Sequence, residues 1–145
     1  MPTFPSVEWF EAVRRAATER DRLRRLGTCD AIMGVKVGNE AFELTFEAFD
    51  CTNIRKISTA ELESADFYLE APPDSWREML ENIKQHGKAD LQHTLNTIDF
   101  LEEEGFAKSG DQSRKDLFYR YLQTFQEFFN ASAEVETEFG VLQPA

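Results

Sequence analysis

Alternation of apolar and polar residues is clearest near the end of the first third of the chain. Phe42, Leu44 and Phe46 share one face of a predicted strand, and the residues between them are polar and face water. The preceding stretch, Ala31–Val37, is rich in residues that favour strands and is followed by Gly38-Asn39, a pair suited to a tight hairpin. The pattern predicts an antiparallel hairpin whose apolar face needs a cover.

Two further strands and a helix are predicted on either side of this hairpin. Residues 51–57 are predicted as a third strand and residues 65–70 as a fourth, with apolar residues on one side. Before the hairpin, Ser6 is a suitable N-cap, and apolar residues then recur at helical spacing up to Gly27. The first helix is therefore expected over this stretch.

The second half of the chain has the spacing of helices. One helix is predicted from Pro73 to Gly87, with an apolar face formed by Trp76, Met79, Leu80 and Ile83. Residues 89–104 predict another, with a stripe formed by Leu91, Leu95 and Ile98. A last helix, capped at or near Ser113, carries a wide apolar stripe of Leu117, Phe118, Tyr121, Leu122, Phe125, Phe128 and Phe129.

Together these elements predict an α+β fold, in which a mainly antiparallel sheet of four to five strands is covered on one face by helices. A length of 145 residues is typical of one domain with one sizeable core. No repeat, low-complexity tract or linker divides the sequence, so residues 1–145 are predicted to form a single domain. The acidic residues 131–145 are predicted to fray.

Composition narrows the classes of partner. The chain has 16 basic and 27 acidic residues, for a formal net charge of −11, and this balance repels nucleic acid and anionic membrane surfaces. No apolar run approaches the ~18 residues of a membrane span, and the first ten residues lack the pattern of a signal peptide. We therefore expect a cytoplasmic protein with no integral membrane association, in which Cys29 and Cys51 stay reduced.

Recognisable catalytic and cofactor motifs are lacking. The sequence has no nucleophile elbow, phosphate-binding glycine loop or dinucleotide fingerprint. His86, Asp90 and His93 would approach one face of a continuous helix. Gly87 is expected to interrupt that helix, so exposed or capping histidines are favoured over metal ligands. Asp99 either lies on an exposed helix back or hydrogen-bonds a ligand hydroxyl. We expect no catalytic residues, no cofactor and no metal.

The order of a first helix, an antiparallel meander and a strand leading into a Pro-Pro helix resembles the sterol carrier protein 2 (SCP-2) family of sterol-transfer proteins. The sharpest match is Ala65-Asp66-Phe67-Tyr68-Leu69-Glu70 followed by Asp74-Ser75-Trp76-Arg77-Glu78-Met79-Leu80. The resemblance implies that a sterol, fatty acid or acyl-CoA ester binds in an apolar tunnel between sheet and helices. It also implies a short helix and a last edge strand after the Pro-Pro helix, where the pattern of residues 89–104 predicts a helix instead.

The function expected from these observations is non-catalytic binding and transfer of a hydrophobic small molecule, a sterol, fatty acid or acyl ester, in an apolar cavity. The candidate ligand-binding residues are Phe42, Leu44, Phe46, Trp76, Met79, Ile83, Leu95, Phe100, Tyr121 and Phe125. Two alternatives stay open. One is a protein-interaction or dimerisation module that uses the C-terminal aromatic helix, with a possible homodimer. The other is a small enzyme of the ketosteroid isomerase type. That fold has long curved strands in the second half of the chain, where this sequence has helical patterns.

Overall fold

A computed structural model describes residues 1–19, 21, 23–101 and 105–140. The strands are β1 (Thr3–Phe4), β2 (Ala31–Val37), β3 (Glu40–Glu47), β4 (Asp50–Ile57), β5 (Phe67–Ala71), β6 (Ala107–Lys108) and β7 (Glu138–Phe139). The α-helices are α1 (Val7–Glu19), α2 (Pro73–His86), α3 (Leu95–Leu101), α4 (Gln112–Arg120) and α5 (Leu122–Asn130). Short 3₁₀ helices cover Arg24–Leu26, Thr59–Ser64 and Ala131–Glu134.

Within the described residues, five strands form one sheet in the order β4-β3-β2-β5-β6. β2 and β3 pair antiparallel across the two-residue turn Gly38-Asn39, and β4 continues the meander. The strand β5 lies on the other side of β2 and runs parallel to it, with Phe67 opposite Met33. The short edge strand β6 pairs antiparallel with β5.

The predicted fold class is therefore confirmed as α+β with a five-stranded sheet, but the prediction of a mainly antiparallel sheet is not confirmed, because the sheet is mixed. β4 covers the far edge of β3, so the next strand has to pair at the β2 edge. The chain reaches that edge through the 3₁₀ helix Thr59–Ser64 and enters β5 in the direction of β2. Alternation within a strand identifies its apolar face and says nothing about its neighbour.

Helices α1 and α5 cover the apolar face of β3. The Phe10 ring of α1 lies 5.1 Å from the Phe42 ring, and the Phe125 ring of α5 lies 5.3 Å from the Phe46 ring. The predicted cap of α1 is confirmed, because the Ser6 hydroxyl accepts a hydrogen bond of 3.1 Å from the backbone N–H of Trp9. α1 ends at Glu19 rather than near Gly27, and a separate 3₁₀ helix follows.

The opposite face of the sheet is partly covered, although the sequence predicts that it faces water. Leu62, from the 3₁₀ helix Thr59–Ser64, packs in a small cluster with Ala41 and Ile57. Glu43 is buried on this side, and its carboxylate accepts a 2.9 Å hydrogen bond from the Arg55 guanidinium. The ion pair compensates the buried charge of Glu43, which the strand pattern predicted to face solvent.

The segment after α2 differs most from its prediction as a helix over residues 89–104. The helix α3 covers only Leu95–Leu101, and residues 102–104 lie outside the described part of the chain. The helix begins later than predicted, because the Asp90 carboxylate accepts the backbone N–H groups of Gln92 and His93 and holds residues 91–94 in a turn before α3. After α3 the chain forms the edge strand β6.

The predicted last helix is two helices, and the predicted tail is packed. Tyr121 separates α4 from α5 with a backbone φ of −110° and ψ of 25°, and Asp111, not Ser113, is the N-cap of α4. Ala131 and Val135 are buried, and β7 pairs parallel with β1. Residues 131–140 therefore do not fray as predicted, because they bury apolar side chains, while residues 141–145 lie outside the described residues.

Candidate functional site

A cleft between α2 and α3 encloses a cavity of about 300 Å³. Its floor and walls are mainly apolar and are formed by Ala71, Trp76, Met79, Ile98, Leu101 and Phe106. These side chains come from the end of β5, the inner face of α2, the helix α3 and the residue before β6.

Trp76 forms the fixed part of the floor. Its indole Nε1 donates a 3.0 Å hydrogen bond to the backbone carbonyl of Lys36 in β2. The Phe106 ring lies 5.2 Å from the indole on one side, and the Phe129 ring lies 5.7 Å away on another. Because Met79 follows Trp76 by three helical residues, the two side chains share one face of α2 and line the cavity together.

Helix α3 is held over the cleft by polar contacts at both ends. The backbone N–H of Leu95 donates a 2.8 Å hydrogen bond to the Gln126 side chain of α5. At the other end, Asp99 Oδ1 accepts hydrogen bonds from the backbone N–H groups of Phe106 and Ala107, at 2.7 and 2.9 Å. Asp99 thus joins α3 to the sheet edge, which neither sequence-based interpretation of this residue foresaw.

The rim of the cavity is polar and includes Ser75, Glu78, Gln92 and His93. His93 Nδ1 lies 2.7 Å from Asp90 Oδ1, and His93 Nε2 lies 3.6 Å from Glu78 Oε1. The hydrogen bond to Asp90 raises the pKa of His93 above its usual 6.5. The same bond lowers the pKa of Asp90 to about 2, with help from Asn82 and the backbone N–H of Gln92.

The ten predicted ligand-binding residues divide into three groups. Trp76 and Met79 line the cavity. Six others are buried in the hydrophobic core, away from that lining, and they are Phe42, Leu44, Phe46, Ile83, Leu95 and Phe125. Tyr121 is half-buried at the junction of α4 and α5, and Phe100 is 85% exposed on α3. The structure therefore places two of the α2 candidates, Trp76 and Met79, in the lining of the cleft. It packs the β3 candidates Phe42 and Phe46 against other aromatic rings.

Several cavity residues were not among the predicted contacts. Ile98 belonged to a predicted apolar stripe, and its spacing was the signal that could have identified it. Phe106 follows Gly105 in a stretch without periodicity, so no pattern pointed to it. His93 was considered as a metal ligand or as an exposed or capping histidine, and not as part of a ligand site. Among the described residues, no group of three or more His, Cys, Asp or Glu side chains is placed to hold a metal ion.

Comparisons with known proteins leave the site to be interpreted from its own geometry. No family model, no curated protein and no solved structure matches this chain. Within the part of the chain that the structure describes, no helix has the length and apolar character that crossing a bilayer requires.

A second cavity, of about 340 Å³, lies between α2 and the C-terminal segment. Leu80, Val135 and Phe139 form apolar walls, and the ion pair of Lys84 with Glu136, at 2.8 Å, lies at its edge. Ser132 also lines it, and the buried Ser132 hydroxyl makes no hydrogen bond within the described residues. This cavity contains neither a histidine nor an aromatic floor comparable to that of the cleft.

Proposed function

We propose that this protein binds and transfers a hydrophobic small molecule in the cleft between α2 and α3, and that it does no chemistry on this ligand. The ligand classes are those that the resemblance to the SCP-2 family implies: a sterol, a fatty acid or an acyl ester. The observation that carries the proposal is an open cavity with an apolar floor, fixed by Trp76, and a polar rim. Such a combination is typical of small-molecule sites, in which apolar surface supplies affinity and a few polar groups orient the ligand.

The size of the cavity favours a compact ligand or the end of a longer one. Its volume of about 300 Å³ is at the lower end of the range for ligand sites, roughly 300–1,000 Å³. Leu101 lines the cavity and is 69% exposed, so an apolar surface continues from the cleft to the outside. A longer ligand would cover this surface while its end occupies the cavity.

The order of elements supports the SCP-2-like part of the proposal. After α2 the chain forms the short helix α3, then the edge strand β6, then the final helices. This is the order that the resemblance implies and that the pattern of residues 89–104 seemed to contradict. An SCP-2-like arrangement is therefore part of what we propose.

The position of the acidic groups near the cavity favours a binding role over catalysis by carboxylates. Glu78 lies on the rim with its side chain 74% exposed, and Asp90, behind the rim residue His93, is 44% exposed, so neither carboxylate lies against the apolar floor. A carboxylate that serves as general base or acid near neutral pH needs a desolvated position beside the reacting atoms, because desolvation raises its pKa toward neutrality. The carboxylates of this rim lack such a position.

The alternative is an interaction module based on the C-terminal aromatic helix, and the Phe rings of this region are not exposed for such a role. That interpretation needs rings of the last helices to face outward. Instead, Phe118, Phe125, Phe128 and Phe129 are each fully buried. Contacts with Phe46 and Phe67 of the sheet and with Trp76 of α2 account for these four rings, so binding in the cleft is the function favoured here.

Titration of the protein with 1-octanol and octanoate, followed by calorimetry and by the methyl NMR signals of Met79 and Ile98, tests the proposal. We expect saturable binding that perturbs both methyl signals. Ile98→Trp should fill the cavity and weaken binding roughly tenfold or more, which corresponds to about 1.4 kcal/mol. Leu91→Trp is the matched control, because Leu91 is 86% exposed and does not line the cavity.

Two results would contradict the proposal. One is the absence of saturable binding by any apolar probe, including material released from the purified protein by organic extraction. The other is binding that Ile98→Trp leaves unchanged, since the ligand would then occupy a different place.

A further inference from the structure

The proton on His93 is fixed by its neighbour Asp90. The Asp90 carboxylate accepts hydrogen bonds from the backbone N–H groups of Gln92 and His93 and from the Asn82 side chain, at 2.9 to 3.0 Å. An ionised carboxylate can only accept. His93 Nδ1, at 2.7 Å from Asp90 Oδ1, must therefore carry a hydrogen and donate it.

This arrangement determines what the other ring nitrogen can do. In a neutral imidazole only one nitrogen carries a hydrogen, so His93 Nε2 presents a lone pair. Its nearest charged neighbour is Glu78 Oε1, at 3.6 Å, which is beyond hydrogen-bond distance. Both atoms are then acceptors, and both residues line the cavity. With a neutral imidazole, the mouth of the cleft thus has two acceptors close together, and a donor from a ligand can satisfy them. With a protonated imidazole, Nε2 carries a hydrogen, and the Glu78 carboxylate is the acceptor that a ligand donor meets.

The charges around His93 disfavour an anionic ligand. Glu78 from α2 and Asp90 from the preceding turn contact the imidazole, and both are carboxylates. The open groove beyond them is lined by Asp74, by Glu81 and by Arg77, whose guanidinium is already paired with Glu81. A ligand carboxylate placed at this mouth would meet uncompensated negative charge.

We propose that His93 Nε2 and Glu78 select, among hydrophobic ligands, those whose polar end is an uncharged hydrogen-bond donor, namely alcohols. This inference rests on the proposed function, because it assigns the ligand class of the same cleft. The hydroxyl donates its hydrogen to Nε2, while the hydrocarbon part lies on Trp76 and Met79. Fatty acids and other carboxylates are poor ligands for the same cleft.

Three probes of similar size separate the possibilities by calorimetry at a pH above the folded pKa of His93, which an NMR titration of the ring protons locates first. They are 1-octanol, its isomer 1-methoxyheptane, which can accept but not donate, and octanoate, which is an anion. Only octanol can donate a hydrogen bond to the acceptors at the mouth, and one such bond corresponds to roughly a twofold to tenfold difference in affinity. We expect octanol to bind about tenfold more tightly than the ether, and octanoate to bind more weakly than either.

Variants assign the selectivity to the two residues. His93→Phe keeps an aromatic ring without the acceptor, so it should remove the advantage of octanol over the ether while the ether still binds. Glu78→Gln removes one charge at the mouth and should raise the affinity for octanoate by about threefold to tenfold. Glu63→Gln, an exposed change in the 3₁₀ helix on the other face of the sheet, is the charge-matched control.

The affinities of the unaltered protein decide the inference by themselves, even if His93→Phe fails to fold. Octanoate or the ether binding as tightly as octanol would overturn it while leaving the proposed function intact. An unchanged octanol-to-ether ratio in a folded His93→Phe protein would also overturn it. Failure of all three probes to bind would instead contradict the proposed function on which it rests.

Discussion

At the scale of single residues, the environment of a side chain depends on which neighbours the fold places beside it. The two histidines are only seven residues apart in sequence, yet His86 is exposed while His93 contacts Asp90 and Glu78 at the rim of a cavity. Phe100 and Phe125 are likewise the same residue type, and one is 85% exposed while the other is fully buried. Two predictions belong to this scale.

Asp90→Asn should lower the pKa of His93, because it removes the carboxylate that stabilises the protonated imidazole. The folded pKa of His93 is the raised one, so the stabilisation from this pair is present below pH 6.5 and is lost as the pH rises through the folded pKa of His93. It is also lost in acid, as the pH falls from 3.8 through the Asp90 pKa of about 2. An NMR titration of the His93 ring protons measures the shift directly. Glu63→Gln serves as the control for a distant charge, and an equal shift in that variant would contradict the assignment to Asp90.

Phe125→Ala should cost about 3–5 kcal/mol of the free energy of unfolding, which is the range for truncating a packed core Phe. The Phe125 ring lies 5.2 Å from the Phe67 ring and 5.3 Å from the Phe46 ring, so its removal leaves a void between helix and sheet. Phe100→Ala should change stability by no more than about 0.5 kcal/mol. Urea unfolding of both variants measures the two changes in the free energy of unfolding. A small change for Phe125→Ala would mean that this ring is loosely packed, as expected for the wall of a ligand cavity.

At the scale of elements, close approach between neighbours decides which segments fit together. The 3₁₀ helix Thr59–Ser64 crosses the back of the sheet above Gly34 in the central strand β2. A Cβ atom on Gly34 would lie 2.7 Å from Leu62 Cδ2 and 2.7 Å from Tyr68 Cβ. The glycine therefore provides the space in which the crossing segment and β5 both pack against β2.

Gly34→Ala should destabilise the protein by about 1–3 kcal/mol, because the added methyl group requires Leu62 and the adjoining strand to move. Gly110→Ala is the matched control, since a Cβ atom there meets no atom within 4 Å. Thermal or chemical unfolding of the two variants measures the difference. Equal stability of the two variants would mean that the crossing segment does not pack closely on β2.

At the scale of the whole molecule, the two ends of the described chain lie together. β1 and β7 form a parallel pair, and Trp9 Nε1 donates a 2.9 Å hydrogen bond to the Thr137 hydroxyl. Trp9 is fully buried under this contact. The C-terminal segment is therefore part of the core, and it also forms one wall of the second cavity.

Thr137→Val should lower the free energy of unfolding by about 1–3 kcal/mol, because it leaves the buried indole N–H of Trp9 without its acceptor. Thr18→Val, at an exposed position of α1, makes the same chemical change without a buried partner and should have little effect. Unfolding followed by Trp fluorescence compares the two. If Thr137→Val proved as stable as Thr18→Val, the C-terminal segment would not be closing over Trp9.

Local sequence patterns were sufficient to predict the elements whose signals lie within a short stretch of the chain. The cap at Ser6, the turn at Gly38-Asn39 and the strand alternation that follows it all depend on residues close in the chain. The same holds for α2, where Pro73 begins the helix and Gly87, in a left-handed conformation, follows its end. Turn chemistry and periodicity report backbone conformation and the apolar face of an element, and these are properties that a short window contains.

Only the tertiary structure decided which faces meet. The placement of β5 beside β2, the break at Tyr121 and the packing of Val135 depend on partners far away in sequence. The cleft depends on the most distant of these relations, because Asp99 ties α3 to the sheet edge and thereby holds Ile98 opposite Trp76. Helical periodicity placed Trp76 and Ile98 on the apolar stripes of their helices. A cavity, however, is the space left between elements, and packing between distant segments fixes that space.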